Sequence, residues 1–303
     1  MLSVRSLSTA QLLARHLPRP VAAPLATAAS RGYARFSPAE RLVVERNLRR
    51  IYGEDLDEAR LARSTRQVFE SYGRYWLDSL RLTDMSPTDI DRGFSHEGLD
   101  LLVEFIDAGV TPVIAMPHLG GWEWAAAWFT KVQRWPVASV AERLEPPEVY
   151  DWFLEWRRQL GMDIIAVGPS AAAEVAGALA SGTIVSLLSD RDITGDGIVV
   201  EFFGEATRLP GGPAVTALRS GSPLIPAAAY FDGDTCHGVA LAPIDTERRG
   251  KLRADVTRVT QDLAHALEGL IRRAPEQWHL LQPNWPSDYD ALGLERPESL
   301  RGL

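Results

Sequence analysis

A histidine and a glutamate five residues apart, His118 and Glu123, lie in the run Met116-Pro-His-Leu-Gly-Gly-Trp-Glu123. Imidazole is the side chain whose ordinary proton affinity suits a base near neutral pH. On one continuous helix the two side chains would be splayed by roughly 140°. They meet only if His118 sits in a turn and Glu123 in the first helical turn after it, a bend that Gly120 and Gly121 permit. A carboxylate at a helix start is favoured in its ionised form by the helix dipole. It would accept a hydrogen bond from one ring nitrogen and leave the other free to take a proton, a general-base dyad with no protein nucleophile. The same spacing also fits a loop histidine beside an ordinary helix-start glutamate.

Two further groups sit where strands are expected to end. Glu142 and Arg143 follow Trp135–Val140, and Asp190-Arg191-Asp192 follows Thr183–Leu188. Ligands in open α/β sheets collect at such ends. Two acids around an arginine, with no histidine or third acid at ligand spacing, do not make a metal site, and no metal is expected. Gly211 and Gly212, in Leu209-Pro-Gly-Gly-Pro-Ala214, open a helix whose bare amides suit an anion. The absence of a G-x-S-x-G elbow argues against a serine acylhydrolase.

The elements that must position these groups alternate. Thr111–Met116 reads as a buried strand and Trp122–Val132 as a helix, placing His118 at a strand-to-helix turn. Strands follow at 135–140, 163–167, 183–188, 198–203, 223–230 and 238–244. Helices are expected at 147–160, 171–180, 212–218 and 253–272. This pattern predicts an α/β fold: one domain with a central, mostly parallel or mixed sheet flanked by helices. Upstream lie helices at 38–51, 57–82 and 99–108. In the second, Leu61, Val68, Tyr72, Tyr75 and Trp76 form an apolar stripe of the kind that faces a core.

The chain has 303 residues, 46% of them hydrophobic, enough for one large core. A net charge of −8 argues against nucleic acid as a partner. The single cysteine, Cys236, excludes an internal disulfide and fits a reducing compartment. Residues 1–38 stand apart: five arginines, no acid, and interleaved Leu12, Leu13, Leu17, Val21 and Leu25. No apolar run there reaches the roughly 20 residues needed to span a bilayer. An organelle transit peptide, a signal peptide interrupted by Pro18, Pro20 and Pro24, a basic helix on an anionic membrane surface and a ragged end all compete. The expected organisation is a basic amphipathic segment at 1–38, one domain at 39–285 and a loosely held tail at 286–303.

His118-Leu-Gly-Gly-Trp-Glu123 resembles the His-x4-Asp/Glu block of the bacterial lipid A late acyltransferases. Asp190-Arg-Asp-Ile-Thr-Gly195, Phe202-Phe-Gly204 and Leu209-Pro-Gly-Gly-Pro-Ala214 resemble its later blocks in the same order. Ser71-Tyr-Gly-Arg-Tyr-Trp76 and Trp278-His-Leu-Leu-Gln-Pro283 narrow the resemblance to the actinobacterial branch, the phosphatidylinositol mannoside acyltransferases. It runs from about Leu12 to about Trp285.

The resemblance implies transfer of a long acyl chain from acyl-CoA, with no further cofactor, to a mannose hydroxyl of a membrane glycolipid. It favours a membrane-associated start and a peripheral protein on the cytoplasmic face. It places an acid of the 190–192 block near His118, Asp190 first and Asp192 second. It raises Glu142, Arg143 and Arg191 as substrate contacts and assigns Arg157 and Arg219 to coenzyme A phosphates. Family members often carry a base near Gly195-Asp196-Gly197, where this chain has Asp196. Amides near Gly120 to Trp122 are candidates to hold the developing oxyanion. Transfer to another glycolipid or a lysophospholipid, or a silent lipid-binding relative, are the rival readings.

Overall fold

A computed structural model describes residues 3–53 and 56–303. Four helices come first: α1 (Val4–His16), α2 (Arg19–Phe36), α3 (Pro38–Tyr52) and the long α4 (Glu58–Leu82). Next are α5 (Pro87–Arg92), β1 (Phe94–Glu97), α6 (Asp100–Asp107), β2 (Val113–Met116), α7 (Trp122–Ala127), β3 (Val137–Ala141) and α8 (Pro147–Gln159). Then follow β4 (Met162–Ala166), α9 (Ala171–Ala180), β5 (Ile184–Leu188), the hairpin β6 (Ile198–Phe202) and β7 (Glu205–Leu209), and α10 (Gly212–Ser220). The chain closes through β8 (Leu224–Asp232), β9 (Thr235–Ala240), α11 (Leu252–Arg273) and α12 (Pro286–Leu292).

Seven strands form one sheet in the order β1-β9-β8-β2-β5-β3-β4, and β6-β7 form a separate hairpin. The block β8-β2-β5-β3-β4 is parallel; β9 runs antiparallel to β8, and β1 parallel to β9. The expected α/β architecture with a mixed sheet is therefore what the chain adopts. Strand β2 is apolar throughout because both of its faces are covered. Side chains alternate across a strand. Val113 and Ala115 thus join the core with Val175, Ala214 and Leu263 from α9, α10 and α11. Ile114 and Met116 join the opposite core with Tyr75, Trp124 and Trp156 from α4, α7 and α8. Burying each such aliphatic side chain contributes about 1.5–3 kcal/mol, which fixes the end of β2 and the turn after it.

Three local differences from the sequence reading, and one proline within a helix, have physical reasons. The helix expected through Val132 turns π-helical at Trp128–Val132. There the Thr130 hydroxyl bonds the carbonyls of Ala126 and Leu160, competing with the helical ladder. β1 was missed because three of its four residues are exposed and polar. Pro24 lies inside α2 without ending it; it stands in the second turn, where only one helical bond is forfeited. The tail is not loosely held. Asp288 of α12 is fully buried, accepts the amides of Asn284 and Trp285, and binds Arg46 and Arg50 of α3.

Candidate active site

Strands β2 and β5 are parallel neighbours with Met116 opposite Leu188. The ladder extends one step further, Ser189 N–H to the Met116 carbonyl at 2.8 Å. The residue two past each strand end is therefore brought face to face, and those residues are His118 and Asp190. Asp190 Oδ1 lies 2.7 Å from His118 Nδ1, and its Oδ2 accepts the His118 backbone amide at 3.0 Å. The Trp278 indole N–H donates to the same Oδ2 at 2.7 Å, and Asn284 Nδ2 donates to the Asp190 carbonyl at 3.1 Å. Burial of this fully enclosed carboxyl pushes its pKa up. The charge and ring bond of His118, then the Trp278 indole and the His118 amide, outweigh that and hold it below the usual carboxylate value. With Nδ1 engaged, His118 has Nε2 left for a proton, and its side chain is 26% exposed.

Glu123 does not meet His118. Gly120 N–H is tied to the Gln277 carbonyl at 2.9 Å and Gly121 N–H to the Ala229 carbonyl at 2.8 Å, which pins the turn against β8 and the 277–279 segment. Gly120 needs its positive φ of 59°, and a Cβ there would strike the Ala229 carbonyl. The chain enters α7 with Glu123 buried toward α4 and α8, where its Oε1 accepts from Arg157 at 2.9 Å and Tyr75 at 3.3 Å. This corrects the expected His118–Glu123 hydrogen bond. It also corrects Arg157, which is committed to a buried ion pair and is only 18% exposed. Asp192 folds into its own loop, bonding the amides of Thr194, Gly195 and Gly197. Of the amides expected to hold an oxyanion, those of Gly120 and Gly121 are spent. That of Trp122 bonds no acceptor among the described residues.

Buried polar atoms without a partner occur on and around Trp122, whose ring abuts His118. Of the seven among the described residues, three belong to Trp122 (Nε1), Glu123 (Oε2) and His279 (Nδ1). Unsatisfied groups are costly and few in a folded protein, which makes this region a candidate site. An aromatic wall leads away from it. The Trp122 ring stands edge-on to His118 at 5.6 Å, Tyr75 stacks on Trp122 at 4.1 Å, and Tyr72 stacks on Tyr75 at 6.2 Å. Tyr72 and Trp76 then line an apolar cavity of about 520 Å³ between α4 and the α1–α2 pair, with Leu13, Leu17, Leu25 and Leu80. The α4 stripe therefore serves two ends: Tyr75 is core, while Tyr72 and Trp76 face this cavity.

A model of the bacterial lipid A biosynthesis acyltransferases matches residues 7–287 of the chain. The chain belongs to that family. It is 36% identical over 287 residues to a phosphatidylinositol mannoside acyltransferase of Mycolicibacterium smegmatis, spanning 91% of this chain and 89% of that protein. It is 35% identical over 224 residues to a phosphatidylinositol mannoside acyltransferase of Mycobacterium tuberculosis, spanning 72% of this chain and 69% of that one. Membership makes the protein an acyltransferase of lipid biosynthesis, with an acyl donor and a lipid acceptor.

In this acyltransferase a second cavity, of about 350 Å³, lies at the C-terminal ends of β3, β4 and β5. Glu142, Arg191, Gly211 and Gly212 line it, as does Asp196, whereas Arg143 and Arg219 are exposed and line neither this cavity nor the apolar one. Three carboxylates, Glu142, Asp192 and Asp196, face one guanidinium, Arg191. That balance disfavours a polyphosphate and suits hydroxyls, which accept from arginine and donate to carboxylates. Trp278, His279 and Asn284 around His118 and Asp190 were not singled out from the sequence as site residues. The one sequence signal was the Trp278–Pro283 block, whose polar residues carry no catalytic spacing and which stops one residue short of Asn284.

Proposed function

We propose that this acyltransferase moves a long-chain acyl group from acyl-CoA to a mannose hydroxyl of a phosphatidylinositol mannoside at a membrane surface. The pairing of His118 Nδ1 with the buried Asp190 carries the reading. Nε2 of His118 removes the acceptor hydroxyl proton as that oxygen attacks the thioester carbonyl. Asp190 keeps the proton on Nδ1 and offsets the imidazolium charge. The tetrahedral oxyanion needs donors, for which the Trp122 amide is available. On collapse the C–S bond breaks and the thiolate takes the proton from Nε2, regenerating neutral His118. The apolar cavity under α1 and α2 is within the range of small-molecule pockets and suits the acyl chain. The cavity holding Glu142 and Arg191 suits sugar hydroxyls.

No helix among the described residues is long and apolar enough to cross a membrane. Leu12, Val21 and Phe36 are exposed on α1 and α2 and do not line the apolar cavity, apolar side chains suited to lying in an interface. The protein is then peripheral, on the cytoplasmic side where acyl-CoA is made available. The deciding experiment incubates purified protein with labelled acyl-CoA and a panel of glycolipid and lysophospholipid acceptors, beside a folded His118→Ala protein. Label on phosphatidylinositol mannoside in the wild type, reduced roughly 10²–10⁴-fold in the variant, is the expected result. Equal labelling by both proteins would sink the mechanism, and labelling of a different acceptor would sink the substrate.

A further inference from the structure

Residues 277–279 form a short antiparallel ladder with residues 118–120: Gly120 N–H bonds the Gln277 carbonyl at 2.9 Å and His279 N–H bonds the His118 carbonyl at 2.7 Å. Trp278, at the centre of this ladder opposite Leu119, sends its indole across to Asp190 Oδ2 at 2.7 Å. Five residues beyond His279, Asn284 holds the Asp190 carbonyl at 3.1 Å. One segment near the C-terminus thus grips both His118 and Asp190. The Trp278 ring is 3% exposed and fixed among Phe202, Phe203 and Trp285, with centroids at 6.1, 5.6 and 6.4 Å. An aromatic of that size fills the space as a hydrophobe; the N–H is what a phenylalanine would lack.

Asp190 is closed to solvent, so its charge rests on the donors it has. One is the His118 backbone amide and one is the His118 ring; Trp278 is the only other side chain that donates to the carboxylate among the described residues. We propose that Trp278 is a positioning residue for the acyl transfer: its indole N–H fixes Asp190 as an ionised acceptor for the Nδ1 proton, and so sets the pH at which His118 takes a proton on Nε2. This rests on the reading of His118 as the base. Other charged groups nearby do not titrate in the same window or are already committed. His279 is kept neutral, its pKa lowered to about 3 by burial and by the neighbouring His118. Glu123 is paired with Arg157 behind Trp122. Arg272 and Arg50 sit over Phe203 and Trp285 and remain cationic throughout.

The sign of the effect separates this role from simple packing. His118 and Asp190 are coupled through their 2.7 Å hydrogen bond. A donor aimed at the carboxylate stabilises the deprotonated pair, so its removal raises the pair's proton affinity. If Trp278 served only to pack, its loss would let Asp190 drift from the ring, and the proton affinity of His118 would stay or fall. The test measures kcat/KM against pH for wild type and Trp278→Phe, together with the His118 titration by NMR of histidine-labelled protein. The same pair of measurements is made on protein carrying benzothienylalanine at 278, which keeps the indole shape and replaces N–H by sulfur. The acid limb and the NMR midpoint should both move up by about one pH unit, a tenfold loss of kcat/KM below the limb, equivalent to about 1.4 kcal/mol. The alkaline plateau should change far less. A midpoint that stays or falls in the isosteric protein overturns the proposal, whether or not Trp278→Phe folds. The NMR readout does not depend on activity, so a wild type that transfers no acyl group would defeat the proposed function while leaving Trp278 separately tested.

Discussion

Glu123 Oε1 accepts a hydrogen bond from Arg157 Nη2 at 2.9 Å, across the gap between α7 and α8 and away from His118. Burial would lower the proton affinity of Arg157, but the charge of Glu123, with Tyr75 behind it, raises it above the ordinary value. The pair is a buried strut that also bears on Tyr75 and so on the aromatic wall. Removing one member of such a pair leaves an uncompensated charge and costs about 3–5 kcal/mol. Glu123→Gln keeps a hydrogen bond and loses the charge, so it should fall at or below the lower end of that range. It should lower the melting temperature clearly while the folded fraction keeps most of its kcat. A Glu123→Leu/Arg157→Leu double variant should regain stability over either single change. Unfolding curves alongside active-site-normalised rates check both, and a Glu123→Gln protein of wild-type stability with collapsed kcat would return Glu123 to the chemistry.

Asp190→Asn should leave the fold intact and reduce kcat by about 10²–10⁴-fold, the range of general-base contributions. Asparagine keeps the size but offsets no imidazolium charge, and it can present N–H₂ to Nδ1 and so favour the wrong tautomer. Residues that act as a unit are not additive. The His118→Ala/Asp190→Asn double variant should therefore be little slower than His118→Ala alone. Multiplicative losses in the double variant would show that Asp190 acts independently of His118.

The alternation of short apolar strands with helices was legible because Val113–Met116 and Leu224–Phe231 are buried throughout and Ile184–Leu188 largely so, with Pro112, Pro117, Gly182, Pro223 and Gly233 near their ends. The partner of His118 was not legible from spacing. Glu123 is close in sequence, but two glycine amides spent on Gln277 and Ala229 turn it away. Asp190 is 72 residues off and becomes the partner only through the β2–β5 register. The resemblance to the family pointed to Asp190 where periodicity could not. Arg157 and Arg219 look alike as isolated arginines on helices; one is sealed against Glu123 and the other is open to solvent. Only packing distinguishes them.

His279 gives the protein an acid liability. It is buried among Tyr72, Tyr75 and Trp122, bonded to Ser71 Oγ at 2.9 Å, and its pKa is lowered from 6.5 to about 3. The unfolded chain therefore binds a proton before the folded one does. This contribution is fully present above about pH 6.5 and is lost as the pH falls toward 3. Between pH 7 and pH 5 the wild type should lose about 2 kcal/mol from this group alone. His279→Gln does not titrate and should show a correspondingly flatter dependence. Urea unfolding at the two pH values gives the comparison, and equal slopes for the two proteins would mean that His279 is charged in the folded state.

Gly73 of α4 lies tight against Ser30 and Ala26 of α2. A Cβ there would fall on Ser30 Oγ and come 3.1 Å from the Ala26 carbonyl. Alanine in a helix interior ordinarily gains about 1 kcal/mol over glycine, but overpacking costs about 1–3 kcal/mol, and here the obstruction is a buried side chain and backbone. Gly73→Ala should thus be destabilising and should push α2 off the apolar cavity, raising KM for long-chain acyl-CoA more than for short-chain donors. Ser30→Gly in the same protein should recover most of the loss. A Gly73→Ala protein more stable than wild type would show that the two helices part easily at this point.

The basic start of the chain is less free than its composition implies, and this changes what membrane binding should look like. Arg15 pairs with Asp84, Arg19 with Asp78 and Asp234, and Arg31 with Glu70. Arg5 and Arg35 alone have no acidic partner among the described residues. A surface cation contributes about 1 kcal/mol at an anionic bilayer, so two free arginines supply a modest, salt-sensitive term. The larger share falls to exposed apolar side chains, Phe36 at 83% and Leu12 at 57% among them. Leu12→Glu/Val21→Glu/Phe36→Glu alters three exposed positions that do not line the cavity. It should cut binding to anionic liposomes at least tenfold while sparing turnover of a detergent-dispersed acceptor. Arg5→Gln/Arg35→Gln should weaken binding by less and flatten its dependence on salt. Deleting residues 1–37 is a different experiment. It removes one wall of the cavity and uncovers Leu77 and Leu80, so turnover should fall with membrane binding. Liposome sedimentation at low and high salt, with rates measured on the same samples, separates these outcomes. A truncated protein that keeps full turnover on long-chain donors would show that α1 and α2 serve the membrane alone.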